Sequence, residues 1–139
     1  MLLEGKNAII YGAGGGIGGG VARAFAREGA RVFLAGRTRE SLEAVAKEIA
    51  AEGGSAEVAE LDALDERAVD EQAREVTEKA GTIDISFNLI SRGDVQGIPL
   101  VEMTTEDFTR PITTGITANF ITARAAARRG ARSQPPGCG

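Results

Sequence analysis

Asn7-Ala8-Ile9-Ile10-Tyr11-Gly12-Ala13-Gly14-Gly15-Gly16-Ile17-Gly18 is the stretch whose reading decides the fold of this chain. Residues 7–11 form a short apolar run without polar alternation, the pattern of a strand buried on both faces of a parallel sheet. Glycines end it. Behind them Ile17, Val21, Ala24 and Phe25 recur at i, i+4, i+7 and i+8, which places them on one face of a helix that Gly29 can close in a left-handed cap. A strand running through a glycine cluster into a helix is built to hold a phosphate: small residues let the main chain come close, and a helix N-terminus offers free N–H groups and a positive dipole end. Two spacings can be read, Gly14-x-Gly16-x-x-Gly19, common in dinucleotide sites, and Gly12-x-x-x-Gly16-x-Gly18; spacing alone does not choose between them. A phosphate-loop NTPase is excluded, because Val21 follows Gly20 where that motif needs its lysine.

Working outward, a second strand is predicted at 31–35. Thr38 can cap a helix whose Leu42, Val45, Ala46 and Ile49 share a stripe before Gly53-Gly54 stops it. Residues 56–60 predict a third strand, Val69, Ala73, Val76 and Ala80 a third helix ended by Gly81, and residues 83–87 a fourth strand. Residues 89–105, with Gly93, Gly97 and Pro99, read as a loop, and Ile112, Ile116, Phe120, Ala123 and Ala127 signal a fifth helix. The order βαβαβαβα predicts an α/β fold, the N-terminal part of a Rossmann-type doubly wound parallel sheet with strand order 3-2-1-4. Residues 1–129 form the expected domain, and 130–139 lack any apolar period and read as a disordered tail.

Composition narrows the function. A chain of 139 residues supports one core, and its net charge of −4 gives no basic footprint for nucleic acid. The charge is uneven: residues 108–139 hold five arginines and no acid, so they carry +5 and leave −9 on the rest. There is no histidine and Cys138 is the only cysteine, so neither a disulfide nor a thiolate metal cluster is expected. Charges at Glu4 and Lys6 argue against a secretory leader, and no apolar run is long enough to span a bilayer; a cytoplasmic protein is expected.

In a dinucleotide fold, the end of the second strand lies beside the adenosine ribose, and a free ribose diol is usually held there by a carboxylate. Here the chain reads Ala35-Gly36-Arg37-Thr38-Arg39, with no acid before Glu40. Two guanidiniums and a hydroxyl suit a 2′-phosphate, which favours NADP over NAD, FAD or S-adenosylmethionine.

On these residues the sequence resembles the short-chain dehydrogenase/reductase family, over roughly residues 5–128. The family's glycine signature is similar to Gly12-Ala13-Gly14-Gly15-Gly16-Ile17-Gly18, with Tyr11 where threonine is usual, and this selects the second spacing. Arg37 falls where NADP-preferring members keep a basic residue. Asp62-Ala63-Leu64-Asp65 resembles the segment whose aspartate accepts from the adenine amino group, a role the resemblance gives to Asp62. Asn88 matches the first asparagine of a sheet-stabilising motif whose remainder is replaced by Leu89, Ile90 and Ser91. The resemblance thus implies a cofactor site of Gly12, Gly14, Gly15, Gly16, Ile17, Gly18, Arg37, Thr38, Arg39, Asp62, Ala63 and Asn88.

Departures gather towards the chemistry. Aligning Phe108 and Phe120 with the family's aromatic positions puts Gly115 where an active-site asparagine belongs, and Asn119 lies one helical turn further on. The family's acid/base tyrosine, with a lysine four residues later, has no match, since Tyr11 is the only tyrosine and Gly15 follows it at that spacing. The resemblance implies an NADP-dependent oxidoreductase of a small carbonyl or alcohol, expected here without its catalytic half and as a homo-oligomer. The switch to Arg129-Gly-Ala-Arg-Ser-Gln-Pro-Pro-Gly-Cys-Gly139 suggests a truncated product or a displaced reading frame, which resequencing of the locus decides. The rival readings are a non-catalytic NADP-binding module, or partner of a full-length relative, and a methyltransferase, which shares the glycine-rich turn.

Overall fold

The computed structural model describes residues 1–129; the expected tail at 130–139 lies outside the described residues. Strand β1 (Asn7–Tyr11) leads into helix α1 (Gly16–Arg27), followed by β2 (Arg31–Gly36), α2 (Arg39–Ala51), β3 (Ser55–Glu60), α3 (Glu66–Ala80), β4 (Ile85–Asn88) and α4 (Thr105–Arg129). The sheet order is β3-β2-β1-β4 and every pairing is parallel, with Ile9 beside Phe33 on one side and Ser86 on the other. This is the α/β doubly wound arrangement that the alternation predicts.

The two-residue period of β1 splits the core. Ala8 and Ile10 point to the layer of α1 and α2, where they meet Ala22, Leu34, Leu42 and Ile49; Ile9 and Tyr11 point to α3 and α4, where they meet Val69, Ala73, Val76 and Ile121. Each fully buried aliphatic side chain contributes about 1.5–3 kcal/mol by leaving water. That double burial is why β1 shows no polar alternation.

Two helix faces differ from the sequence expectation. In α1 the buried residues are Gly18, Gly19 and Ala22, while Ile17 is 75% exposed. In α4 the buried stripe is Gly115, Ala118, Ile121, Thr122 and Ala125, whereas Ile112, Ile116 and Phe120 face outward. The physical reason is the same in both: small residues let the helix backbone close on the sheet, which leaves Ile112, Ile116 and Phe120 of α4 outward, while in α1 Val21 and Phe25 still pack at the edge of the core and Ile17 is turned out. Helix α4 also starts ahead of that stripe, at a turn where Thr104 Oγ1 accepts from the Asp107 N–H at 3.0 Å, and it continues through Pro111. Counted along the chain it is the fourth helix. Strand β4 begins two residues later than expected, because Asp84 is engaged at the sheet's amino end, where its carboxylate accepts from the Asn7 N–H at 2.8 Å. No described helix is long and apolar enough to cross a membrane, and no cluster of three metal-ligating side chains occurs among the described residues.

Candidate functional site

The carboxyl ends of the strands converge on a cleft of about 540 Å3. Its floor is the turn between β1 and α1. Gly12 has a φ of +76°, and a Cβ there would lie 2.5 Å from the Leu89 carbonyl oxygen; at Gly18 a Cβ would lie 2.1 Å from the Gly12 oxygen. Only glycine fits either position. Gly15 caps α1 without a side-chain bond, and the first helical N–H to find an acceptor is that of Gly19, on the Gly15 carbonyl at 2.8 Å. The N–H groups of Gly16, Ile17 and Gly18 therefore have no acceptor among the described residues, and nothing lies within 4 Å of a Cβ built on Gly16. Three free donors at the positive end of a helix dipole, in open space, can receive an anion.

Gly12, Gly14, Gly15, Gly16, Ile17 and Gly18 all line the cleft. So do Arg37 and Thr38 beyond the end of β2, and Asp62 and Ala63 beyond the end of β3. Asp62 Oδ1 accepts from the Leu64 N–H at 2.9 Å, and it is Asp65 that caps α3, accepting from the Ala68 N–H at 3.2 Å. Arg39 and Asn88 are not brought to the cleft. Arg39, the first residue of α2, turns to Glu43 at 3.7 Å and Glu60 at 3.4 Å. Asn88 faces α4, where its Nδ2 donates to Asn119 Oδ1 at 3.0 Å.

The structure adds residues that the sequence reading missed. Ser41 lies over the turn, so close that a Cβ on Gly14 would meet its Oγ at 2.4 Å, and that Oγ donates to the Thr38 carbonyl at 3.0 Å. Its signal was available, since it stands three residues after a helix cap and so shares that face. Leu89, Ile90, Ser91 and Thr114 form the opposite wall. Nothing local in the sequence marks Thr114, which reaches the cleft only through the packing of α4 on β4. Tyr11 lines the inner end, almost fully buried, and burial first, then the charge of Asp70, push its phenol pKa upward.

The family model for short chain dehydrogenase matches residues 6–135. Sorbitol dehydrogenase of Cereibacter sphaeroides is 36% identical over 92% of this chain and 48% of its own length. Gluconate 5-dehydrogenase of Gluconobacter oxydans is 36% identical over 91% of this chain and 48% of its own length. The chain thus spans about half the length of the curated relatives it matches. Among solved structures, a short-chain type dehydrogenase/reductase from Mycobacterium marinum superposes with a TM-score of 0.79 at 39% identity, covering 91% of this chain and 51% of that one. A metagenomic short-chain oxidoreductase in complex with NADP (TM-score 0.78, 34% identity, 94% of this chain and 61% of that one) and an NAD+-bound xylitol dehydrogenase (TM-score 0.83, 30% identity, 93% and 49%) are similar as well. The methyltransferase reading is set aside by these matches. From the glycine turn, the strand order and a match over nearly its whole length, the chain belongs to the short-chain dehydrogenase family.

Proposed function

We propose that this chain is the NADP(H)-binding part of an oxidoreductase of small carbonyl or alcohol compounds, binding the cofactor without turning over by itself. The observation that carries the reading is the corner between β2 and α2, where Arg37, Thr38 and Ser41 line the cleft and no carboxylate does. A guanidinium with the Thr38 hydroxyl suits a 2′-phosphate and leaves a bare ribose diol without its usual acceptor. The free N–H groups of Gly16, Ile17 and Gly18 fit the diphosphate, and Asp62 keeps one carboxylate oxygen for the adenine amino group. When bound, the cofactor supplies or accepts a hydride. The chain's own residues bind and orient it, and the Tyr-x-x-x-Lys pair that would move the proton is not among the 139 residues. The outward stripe of α4 supports a homo-oligomer, which buries Ile112, Ile116 and Phe120 in a shared contact.

Calorimetric titration with NADPH and NADH tests the reading, with S-adenosylmethionine as the control. NADPH is expected to bind more tightly than NADH, and Arg37→Gln to weaken NADPH by about tenfold or more while leaving NADH little changed, as loss of a charge-assisted contact requires. Equal binding of the two nucleotides, or an Arg37→Gln variant that keeps the preference, refutes NADP specificity.

A further inference from the structure

A second, smaller cavity of about 170 Å3 opens where β4 ends against α4, lined by Asn88, Leu89, Ile90, Arg92, Gly115 and Asn119. It shares Leu89 and Ile90 with the large cleft. Because β2 and β4 flank β1 on opposite sides, this cavity adjoins the end of the cleft remote from Arg37. A dinucleotide anchored by its adenosine end at Arg37 and its diphosphate at the glycine turn extends its other half this way, so the cavity borders the reacting end. That placement rests on the cofactor reading above; the chemistry of the cavity does not.

Its polar groups are one-sided. The Ile90 N–H donates to Asn88 Oδ1 at 3.1 Å, which fixes the Asn88 amide so that its Nδ2 donates to Asn119 Oδ1. Both side-chain oxygens are thereby engaged, and the Asn119 Nδ2 is left as a donor. Arg92 rests its stem on Gly115, where a Cβ would come within 2.7 Å of Arg92 Cδ and 3.4 Å of Nε. The glycine in the asparagine's place thus makes room for a guanidinium. No carboxylate lines the cavity. Among the described residues Arg92 also has no acid within ion-pair distance, whereas Arg39, Arg110 and Arg124 each have one.

The geometry points to a carboxylate-binding subsite: Arg92 and the Asn119 Nδ2 receive the carboxylate of a small oxo or hydroxy acid and leave its reacting carbon towards the cleft. A planar guanidinium fork matches the two oxygens of a carboxylate, and an unpaired arginine beside an amide donor has no internal anion to displace first. The substrate class is narrowed from carbonyl compounds in general to those that carry an acid group.

The test uses the isotope-labelled chain in NMR titrations at constant ionic strength with pyruvate, with hydroxyacetone as its neutral match, and with inorganic phosphate. Pyruvate is expected to shift the side-chain signals of Asn88, Asn119 and Arg92 in a saturable way, hydroxyacetone to leave them still, and phosphate to bind more weakly. Arg92→Gln, on an exposed loop, is expected to weaken pyruvate by about tenfold, with Arg92→Lys intermediate. No saturable pyruvate shift, equal shifts by hydroxyacetone, phosphate as tight as pyruvate, or an unaltered Arg92→Gln titration each overturn the subsite. Backbone signals of Gly16–Gly18 report NADPH in the same samples. If NADPH leaves them still while pyruvate acts as expected, the cofactor reading fails and the subsite stands; the opposite pattern removes the subsite alone.

Discussion

Gly18 sets how closely the first helix approaches the turn that precedes it. A Cβ there would press on the Gly12 carbonyl, and backbone cannot swing aside as a flexible side chain would. Gly18→Ala is therefore expected to cost about 1–3 kcal/mol in denaturant unfolding, the usual range for overpacking, and to weaken NADPH binding because the free N–H groups are displaced. An unchanged unfolding midpoint would show that the turn relaxes at no cost. Tyr11 makes a second prediction, through pH. Burial raises its pKa in the folded chain above the ordinary 10.0, so as pH climbs past that value the unfolded chain releases a proton that the folded chain still holds. Stability is complete below that pH and falls above it. Tyr11→Phe is expected to flatten the alkaline limb of a Tm-against-pH curve, and an equally steep limb would place the loss elsewhere.

Among the elements, α1 and α4 show what sequence periodicity can carry. The helices, their order and the strand pairing follow from the alternation of periods, because those depend on many residues at once. Which face is buried depends on a few glycines and alanines, and a reading weighted by side-chain bulk turns α1 and α4 towards Ile17 and Ile116 when the sheet takes Gly18 and Gly115. The candidate site divides the same way. The glycine turn and Arg37 are legible because they are contiguous in the chain, while Thr114 and the Arg92–Gly115 contact arise only when α4 lies on β4. Arg39 was read alike with Arg37 because sequence does not show that Glu60, at the end of a neighbouring strand, claims it. The exposed stripe carries its own prediction. Ile116 is 66% exposed, and Ile116→Glu is expected to shift the chain towards monomer in sedimentation without lowering its Tm; an unmoved distribution would locate the contact elsewhere.

Taken whole, the molecule has the candidate cleft at one rim and ion pairs at the other. At the amino side of the sheet Glu57 makes a half-buried pair with Arg31 at 2.7 Å, while Lys79 with Glu57 at 3.1 Å and Arg27 with Glu52 at 3.0 Å are exposed pairs of the kind that contribute about 0–1 kcal/mol each. Helix α4 is held to α3 by Arg124 with Glu66 and by Arg128 with Asp70 at 3.6 Å. Among the described residues β4 pairs on one edge only, with β1, and its own Phe87 is 38% exposed, so this edge is a second place where another strand can join. The opposite rim behaves differently, because of Gly12. The Leu89 N–H donates to the Tyr11 carbonyl at 2.9 Å, and the missing side chain at 12 lets the next peptide slot against Leu89 like a key in a lock plate. Any side chain at 12 would have to push the Leu89 peptide off the turn, so the spacing of these two loops is set by a hydrogen atom.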